Sequence, residues 1–265
     1  MRVLTESEAS TEDIVVSAFS GVLSVVLNRL AKRNALDHAT HVRLDRIFDD
    51  FEADPSLSVA VISSACPSAF CSGQDLSEVA SGTPLAFPKG GFAGLTSRRR
   101  TKPLIAAVNG PAHGGGFELA MACDVIVASR SAHFSLPEIR VGLAPLAGGI
   151  QRLVRAVGYH RAMAVMLLGQ QVSAQQAQAW GIVAELVEGD PVPRASALAA
   201  ELGRNSPLAI AAVIEAAQHG LTDPLSDSID AAWKLDAVSE LLASAHPVEG
   251  ARAFLGRRAP DWSGR

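Results

Sequence analysis

The sequence predicts an α/β fold, and three observations carry that expectation. Short runs of β-branched residues alternate with amphipathic segments through the first half of the chain, as strands do when exchanged with helices in layers. From about residue 200 the sequence turns Ala/Leu-rich and helical. With 265 residues and 48% hydrophobic content, the chain has ample material for one large core.

The elements follow in order. Residues 13–29, DIVVSAFSGVLSVVLNR, hold two β-rich runs around Ser20-Gly21, a tight-turn signal that predicts a hairpin. Residues 37–54 place Val42, Ile47 and Phe51 near helical spacing among many charges, which predicts an amphipathic helix. SVAVISS (58–64), PLIAAVNG (103–110) and DVIVAS (124–129) read as buried strands. Between the first two of these lies an irregular stretch, ACPSAFCSGQDL, and then 81–94, a Gly/Pro-rich segment read as a mobile loop. IQRLVRAVG, HRAMAVMLLG and SAQQAQAWG are short helices, each closed by a glycine. IVAELV (182–187) is one further strand, and Ser206-Pro207 opens a helix with proline at its first position. The predicted division is 1–199 for the core and 200–265 for a helical C-terminal region.

Composition excludes several classes. Net charge is −4, and the one basic cluster, Arg98-Arg99-Arg100-Thr101-Lys102, reads as a solvated face. A single tyrosine and no basic stripe with aromatics argue against nucleic acid. Three cysteines, Cys66, Cys71 and Cys123, form no CxxC pair, so neither a disulfide framework nor a zinc site is expected. The first 13 residues are polar and acidic, unlike a signal peptide, and no apolar run reaches 18 residues. A cytoplasmic protein is the expectation.

The chemistry concentrates in NGPAHGGGFELAMACD (109–124). HGGG resembles an esterase oxyanion loop, but a G-x-S-x-G elbow is missing, and His160, His219 and His246 follow no candidate serine in a triad order. Glycines where a strand meets a helix let a ligand approach backbone N–H groups at the helix's positive end, where a carbonyl gaining negative charge is stabilised; they equally permit tight packing. AFCSGQDL (69–76) offers Ser72 and Gly73 for a second N–H. Cys71 reads as a buried filler and Asp75 as a local cap. Glu118 falls in the first turn after the glycines, where it also suits the helix dipole. Glu138 lies in an irregular apolar stretch, FSLPEIRVGLAPLAGGIQRL, where simple solvation is a poor account of a carboxylate.

With these residues in hand, the chain resembles the crotonase (enoyl-CoA hydratase/isomerase) superfamily. NRLAKRNALD is similar to its early CoA-contacting turn, FCSGQDL to its first oxyanion segment and KPLIAAVNGPAHGGGFELAMACD to its second. FSLPEIRVGLAPLAGGIQRL resembles its second catalytic segment, and LLGQQVSAQQAQAWGIVAELV with EGARAFLGRRAPDWSGR fits its tail. The resemblance implies a ββα superhelix core, C-terminal helices that build trimers or dimers of trimers, and an acyl-CoA thioester as substrate. It assigns the oxyanion hole to the N–H groups of Ser72 and Gly115, and catalysis to Glu118 and Glu138. It places substrate contacts at Ala31, Lys32, Ser72, Gly73, Gln74, Asp75, Gly114, Gly115 and Leu146. No metal or redox cofactor is expected, coenzyme A being part of the substrate.

Two positions depart from the family pattern: Leu146 stands where hydratases commonly carry glycine, and Ser68 where many relatives place a Lys or Arg near the CoA. GGFAGLT (90–96) with GGGFELA and SLPE resembles the carnitinyl-CoA dehydratase branch. Two glutamates favour hydration over double-bond isomerisation, which needs one shuttling carboxylate. A non-catalytic acyl-CoA-binding relative would be expected to lack one or both.

Overall fold

The computed structural model describes residues 12–221 and 224–262, so the reading of the N-terminal stretch as no signal peptide lies largely outside the described residues. The chain opens with the predicted hairpin, β1 (Ile14–Phe19) and β2 (Val22–Leu27), antiparallel with Phe19 opposite Val22. Ser20 and Gly21 both adopt positive φ, 48° and 79°, the geometry that keeps a two-residue turn in step with strand twist. β3 (Val59–Ser64), β4 (Leu104–Val108), β6 (Val125–Ser129) and β9 (Glu185–Val187) extend the sheet in parallel, giving the order β1-β2-β3-β4-β6-β9.

The central strands explain their own composition. Ala60, Ile62, Leu104, Ala106 and Val108 face the larger core with Phe48, Phe117 and Phe134. Their neighbours Val59, Val61, Ile105 and Ala107 face the opposite layer, against Ala195 and Ala199 of α7 (Val192–Leu202). A strand covered on both faces needs apolar residues at successive positions, and VAVI of β3 and LIAAV of β4 supply them.

Helix α1 (His38–Ala53) is capped by Asp37, whose carboxylate accepts the Thr40 N–H at 2.8 Å. Its buried stripe is His41, Leu44, Phe48 and Phe51; Val42 and Ile47 are only half-buried. The predicted helix is right but its inward face is rotated, because a buried histidine holds a core position that hydrophobicity alone assigns to its neighbour. The helices α4 (Gly149–Val157), α5 (Tyr159–Leu168) and α6 (Ala174–Ala179) match the predicted segments. Glycine ends the first two, at Gly158 and Gly169, and stands one residue past the Trp180 cap of the third.

Three expectations need correction. The 182–187 strand shortens to β9. The basic cluster is not a solvated face: Arg100 is largely buried and pairs with both oxygens of Asp124, while Arg98 reaches Asp45 and Asp49. Segment 81–94 is anchored at its far end, where Phe92, Ala93 and Gly94 form a buried 3-10 turn; its start, 81–87, is exposed. A second, small sheet was not foreseen: β5 (Ala112–His113), β7 (His133–Ser135) and β8 (Val172–Ser173) are too short to leave a periodic signal.

The C-terminal region comprises α8 (Pro207–Gly220), α9 (Leu225–Ala232), α10 (Asp236–Ala243) and α11 (His246–Leu255). Buried Ser206 caps α8 at the Ala209 N–H and shares a 2.7 Å hydrogen bond with His246 Nδ1, tying α8 to α11. Replacing Ser206 with alanine removes the cap and strands the imidazole, so unfolding in urea is expected to show a loss of about 1–3 kcal/mol.

Candidate active site

Residues 70–73 run alongside 111–115. Phe70 N–H donates to Pro111 O at 2.9 Å, His113 N–H donates to Cys71 O at 3.0 Å, and Cys71 pairs with Ala112 in an isolated parallel bridge. The approach tolerates only glycine: a Cβ on Gly116 would overlap the Cys71 carbonyl, and one on Gly73 would lie 2.9 Å from His113 O and 3.0 Å from Gly115 N. The sequence therefore brings its two glycine segments into backbone contact. Helix α3 (Gly115–Met121) starts at that contact. As its first residue, Gly115 has an N–H that points out of the helix's own hydrogen-bond ladder.

Glu118 lies on the first turn of α3 and is 3% exposed. Its Oε1 accepts the Gly149 N–H at 2.8 Å, at the start of α4. Burial pushes its carboxyl up to about 7, with the nearby Glu138 adding to the shift and the Gly149 bond opposing it. Glu138 sits on a 3-10 turn after β7, and β7 pairs with β5. That pairing brings Glu138 to the glycines: a Cβ on Gly114 would lie 3.0 Å from its Oε1. Both Glu138 oxygens are buried without a hydrogen-bond partner, and burial raises this carboxyl as well. Two desolvated carboxylates thus lie near one glycine turn, one held by a backbone N–H and the other without a partner.

The remaining predicted residues divide. Gly73, Gly114 and Gly115 form the turn just described. The Ser72 N–H, expected to point at substrate, donates to Arg33 O at 3.1 Å, and its hydroxyl bonds the same carbonyl at 2.7 Å. The Ser72 hydroxyl also lies 3.2 Å from Lys32 O, so the exposed 3-10 turn Leu30–Lys32, which includes Ala31, stands beside segment 70–73. Gln74 and Asp75 are committed elsewhere. Gln74 bridges His41 and Glu78, while Asp75 caps α2 (Leu76–Ala80) through Ser77 and lies 3.5 Å from Lys32. Asp75 is the local cap that its setting in the sequence suggested. Leu146 is 77% exposed, and its N–H donates to Ala144 O at 2.9 Å. Cys71 is fully buried, and burial pushes its thiol up to about 12, which removes it as a nucleophile.

Four contributors escaped the sequence reading. Gly149 supplies the N–H that fixes Glu118. Asn34 ties the early turn to Phe70 O at 2.9 Å. Phe92 lies so close to Gly115 that a Cβ there would overlap its ring, and His41 packs against Phe92 at 4.6 Å between centroids. A histidine on the apolar stripe of α1 was a usable signal; the others depend on contacts between distant segments.

Two desolvated glutamates beside a glycine-built helix start, next to a mainly parallel sheet, fit an enzyme class that works by acid–base chemistry. Comparison with known proteins places the chain within that class. Residues 17–265 match the family model described as enoyl-CoA hydratase/isomerase, and the chain belongs to that family. It is 38% identical to a mevalonyl-coenzyme A hydratase of Aspergillus fumigatus, over 97% of each chain. It is also 38% identical to a carnitinyl-CoA dehydratase of Proteus mirabilis, covering 96% of this chain and 100% of the relative. The fold superposes on the crystal structure of an enoyl-CoA hydratase from Mycobacterium tuberculosis with a TM-score of 0.88 at 35% identity, covering 96% and 99% of the two chains.

The raised Glu118 carboxyl has a stability consequence with a definite sign. The folded chain holds this proton more tightly than the unfolded one, so the stability it contributes is present below the ordinary value of 4.5 and is lost as pH rises through about 7. Glu118→Gln, which cannot ionise, is expected to gain on wild type by about 2 kcal/mol between about pH 5 and about pH 8 in paired urea titrations.

Proposed function

We propose that the protein hydrates the 2,3 double bond of a 2-enoyl-CoA thioester. The observation that carries this reading is the placement of both glutamates, desolvated, around the Gly114–Gly115 turn. As water adds to the β-carbon, charge collects on the thioester oxygen. The Gly115 N–H at the start of α3 is the proposed primary donor to that oxygen, an interaction of about 3 kcal/mol in enzymes that use it. Ser72 is proposed as the second donor, which requires its N–H to be shared with, or released from, Arg33 O.

Glu118 is proposed to orient and deprotonate the water. A carboxyl near pKa 7, fixed by Gly149, is matched to accepting a proton at neutral pH. Glu138 delivers a proton to the α-carbon; its unpartnered oxygens and raised proton affinity suit a group that must be protonated when it acts. The two titrate as a pair, so one proton on the dyad gives one base and one acid. The scheme uses proton transfers alone and calls on no metal or redox cofactor. Dehydration of a 3-hydroxyacyl-CoA is the same path reversed, and the similarity to a carnitinyl-CoA dehydratase supports a polar acyl group as the alternative substrate.

We further propose that the helices after α7 mediate assembly into trimers or dimers of trimers. Leu225, Ile229, Trp233, Leu242, Phe254 and Leu255 are exposed there, an apolar surface of the kind that subunit contacts cover. The boundary then falls after residue 202 and not at 199, because α7 packs on the sheet. None of the described helices is long and apolar enough to cross a membrane. A cytoplasmic setting is proposed from the unpaired cysteines.

Loss of conjugated-enone absorbance over a panel of short, medium and polar 2-enoyl-CoA substrates tests the activity. Glu118→Gln and Glu138→Gln are each expected to lower kcat by about 100-fold or more while acyl-CoA binding changes little. Tight acyl-CoA binding without turnover by wild type on any substrate would refute the hydratase reading, and full activity in Glu138→Gln would refute its role.

A further inference from the structure

Residues 90–98 cross α1 as a strap fixed at several points. Gly90 N–H donates to Asp45 Oδ1 at 3.1 Å, Arg98 Nη2 donates to Asp45 O at 2.9 Å, and Arg152 Nη2 reaches Thr96 O at 2.7 Å. At its centre Ala93 adopts φ +54°, a left-handed conformation that a non-glycine residue takes only when held there. What holds it is His41: the Ala93 N–H donates to His41 Nδ1 at 3.0 Å, inside the core.

This bond fixes the tautomer of the ring. Nδ1 accepts from Ala93, so the proton sits on Nε2, which faces Gln74 Oε1 at 3.0 Å; the Gln74 amide then donates to Glu78 Oε2 at 3.1 Å. The row of bonds from Ala93 to Glu78 has one polarity only. The charged or titratable groups around the ring are Asp37 and His38 on α1 and Glu78 on α2; the strap side presents the Phe87 and Phe92 rings at 5.1 and 4.6 Å. Burial outweighs the two carboxylates and holds the imidazole below its ordinary value, keeping it neutral.

We propose that His41 is a positioning residue of the active site: its Nδ1 holds Ala93, and through Ala93 it presses the Phe92 ring against Gly115, keeping the N–H at the start of α3 aimed. The inference rests on the reading of Gly115 as an oxyanion donor. Phe92 fills the space beside the Gly115 Cα, so a shift of the strap frees the glycine that has least conformational restraint of its own. His41 touches no reacting atom. It acts through two intervening residues, and the expected signature is a loss in turnover with substrate binding largely kept.

Two substitutions separate positioning from packing. Asn in place of His41 puts a carbonyl oxygen about where Nδ1 stood and can still accept from Ala93. Gln in its place reaches toward Gln74 and leaves Ala93 unpaired. His41→Gln is expected to lower kcat on crotonyl-CoA by about tenfold with KM within about threefold, and His41→Asn to restore most of that loss. Phe92→Leu, with His41 intact, is expected to reproduce the loss. Deuterium uptake by peptides spanning 90–97 and 113–118 is expected to be faster in His41→Gln than in His41→Asn. Equal kcat in the two His41 variants, or full kcat in Phe92→Leu, would overturn the proposal even if His41→Gln folded poorly. If wild type turned over no 2-enoyl-CoA, the hydratase reading would fail on its own; equal deuterium uptake in the two variants would still overturn the role of His41.

Discussion

The site depends on one close approach, that of 70–73 to 111–116. Two backbones lie so near that side chains cannot stand between them, and the hydrogen bonds Phe70–Pro111 and His113–Cys71 hold them there. Glycine is required at 73 and 116 for this reason. Once the two segments are joined, the start of α3 is fixed relative to β3 and β4, and Glu118 is fixed with it. Pairing of β5 with β7 extends the same contact to Glu138. A site assembled from backbone in this way has little freedom to drift, which suits preorganised donors more than flexible side chains do.

The approach also sets the electrostatics. Packing glycine turns closely excludes water, and the carboxylates placed there lose solvation that the protein replaces only in part. Glu118 regains backbone N–H groups from Gly149 and Ala147, and Glu138 none from any other residue. Their raised proton affinities follow from this incomplete replacement. The same desolvation would be a fault in a structural carboxylate; at Asp75, where Ser77 and Lys32 supply partners, the carboxyl is instead held low, Ser77's hydroxyl first among the causes. Partner supply thus separates a capping carboxylate from a desolvated one in the same region of the fold.

Much of the architecture was legible because it is periodic or punctuated. The hairpin at Ser20-Gly21, the double-faced strands at 59–64 and 104–108 and the glycine-closed helices all leave local signals. The glycine turn and both glutamates were legible as motifs, and the family is the one the motifs resemble. What the sequence hid is long-range. The two-residue strands β5 and β8 have no period to detect. Gln74 bonds His41 of α1 and Glu78 of α2, a link between elements that no local pattern marks, whereas Asp75 caps α2 as its setting suggested. Segment 81–94 reads as loose from its glycines, yet Gly90 and Gly94 are there because Asp45 of α1 sits against them.

The hydrogen bond from Gly149 to Glu118 joins a helix to a titrating group. Because α4 begins at Gly149, the proton affinity that burial gives Glu118 is lowered by the start of a nine-residue helix. Seated, the helix start favours the ionised carboxylate; withdrawn by about an ångström, it would leave the carboxylate unsupported and drive it to take up a proton. Since α4 meets α5 at the single residue Gly158, whatever presses on α5 leans on α4 as well. A displacement of α4 would therefore be felt at Glu118 as a change in how readily that carboxylate accepts a proton.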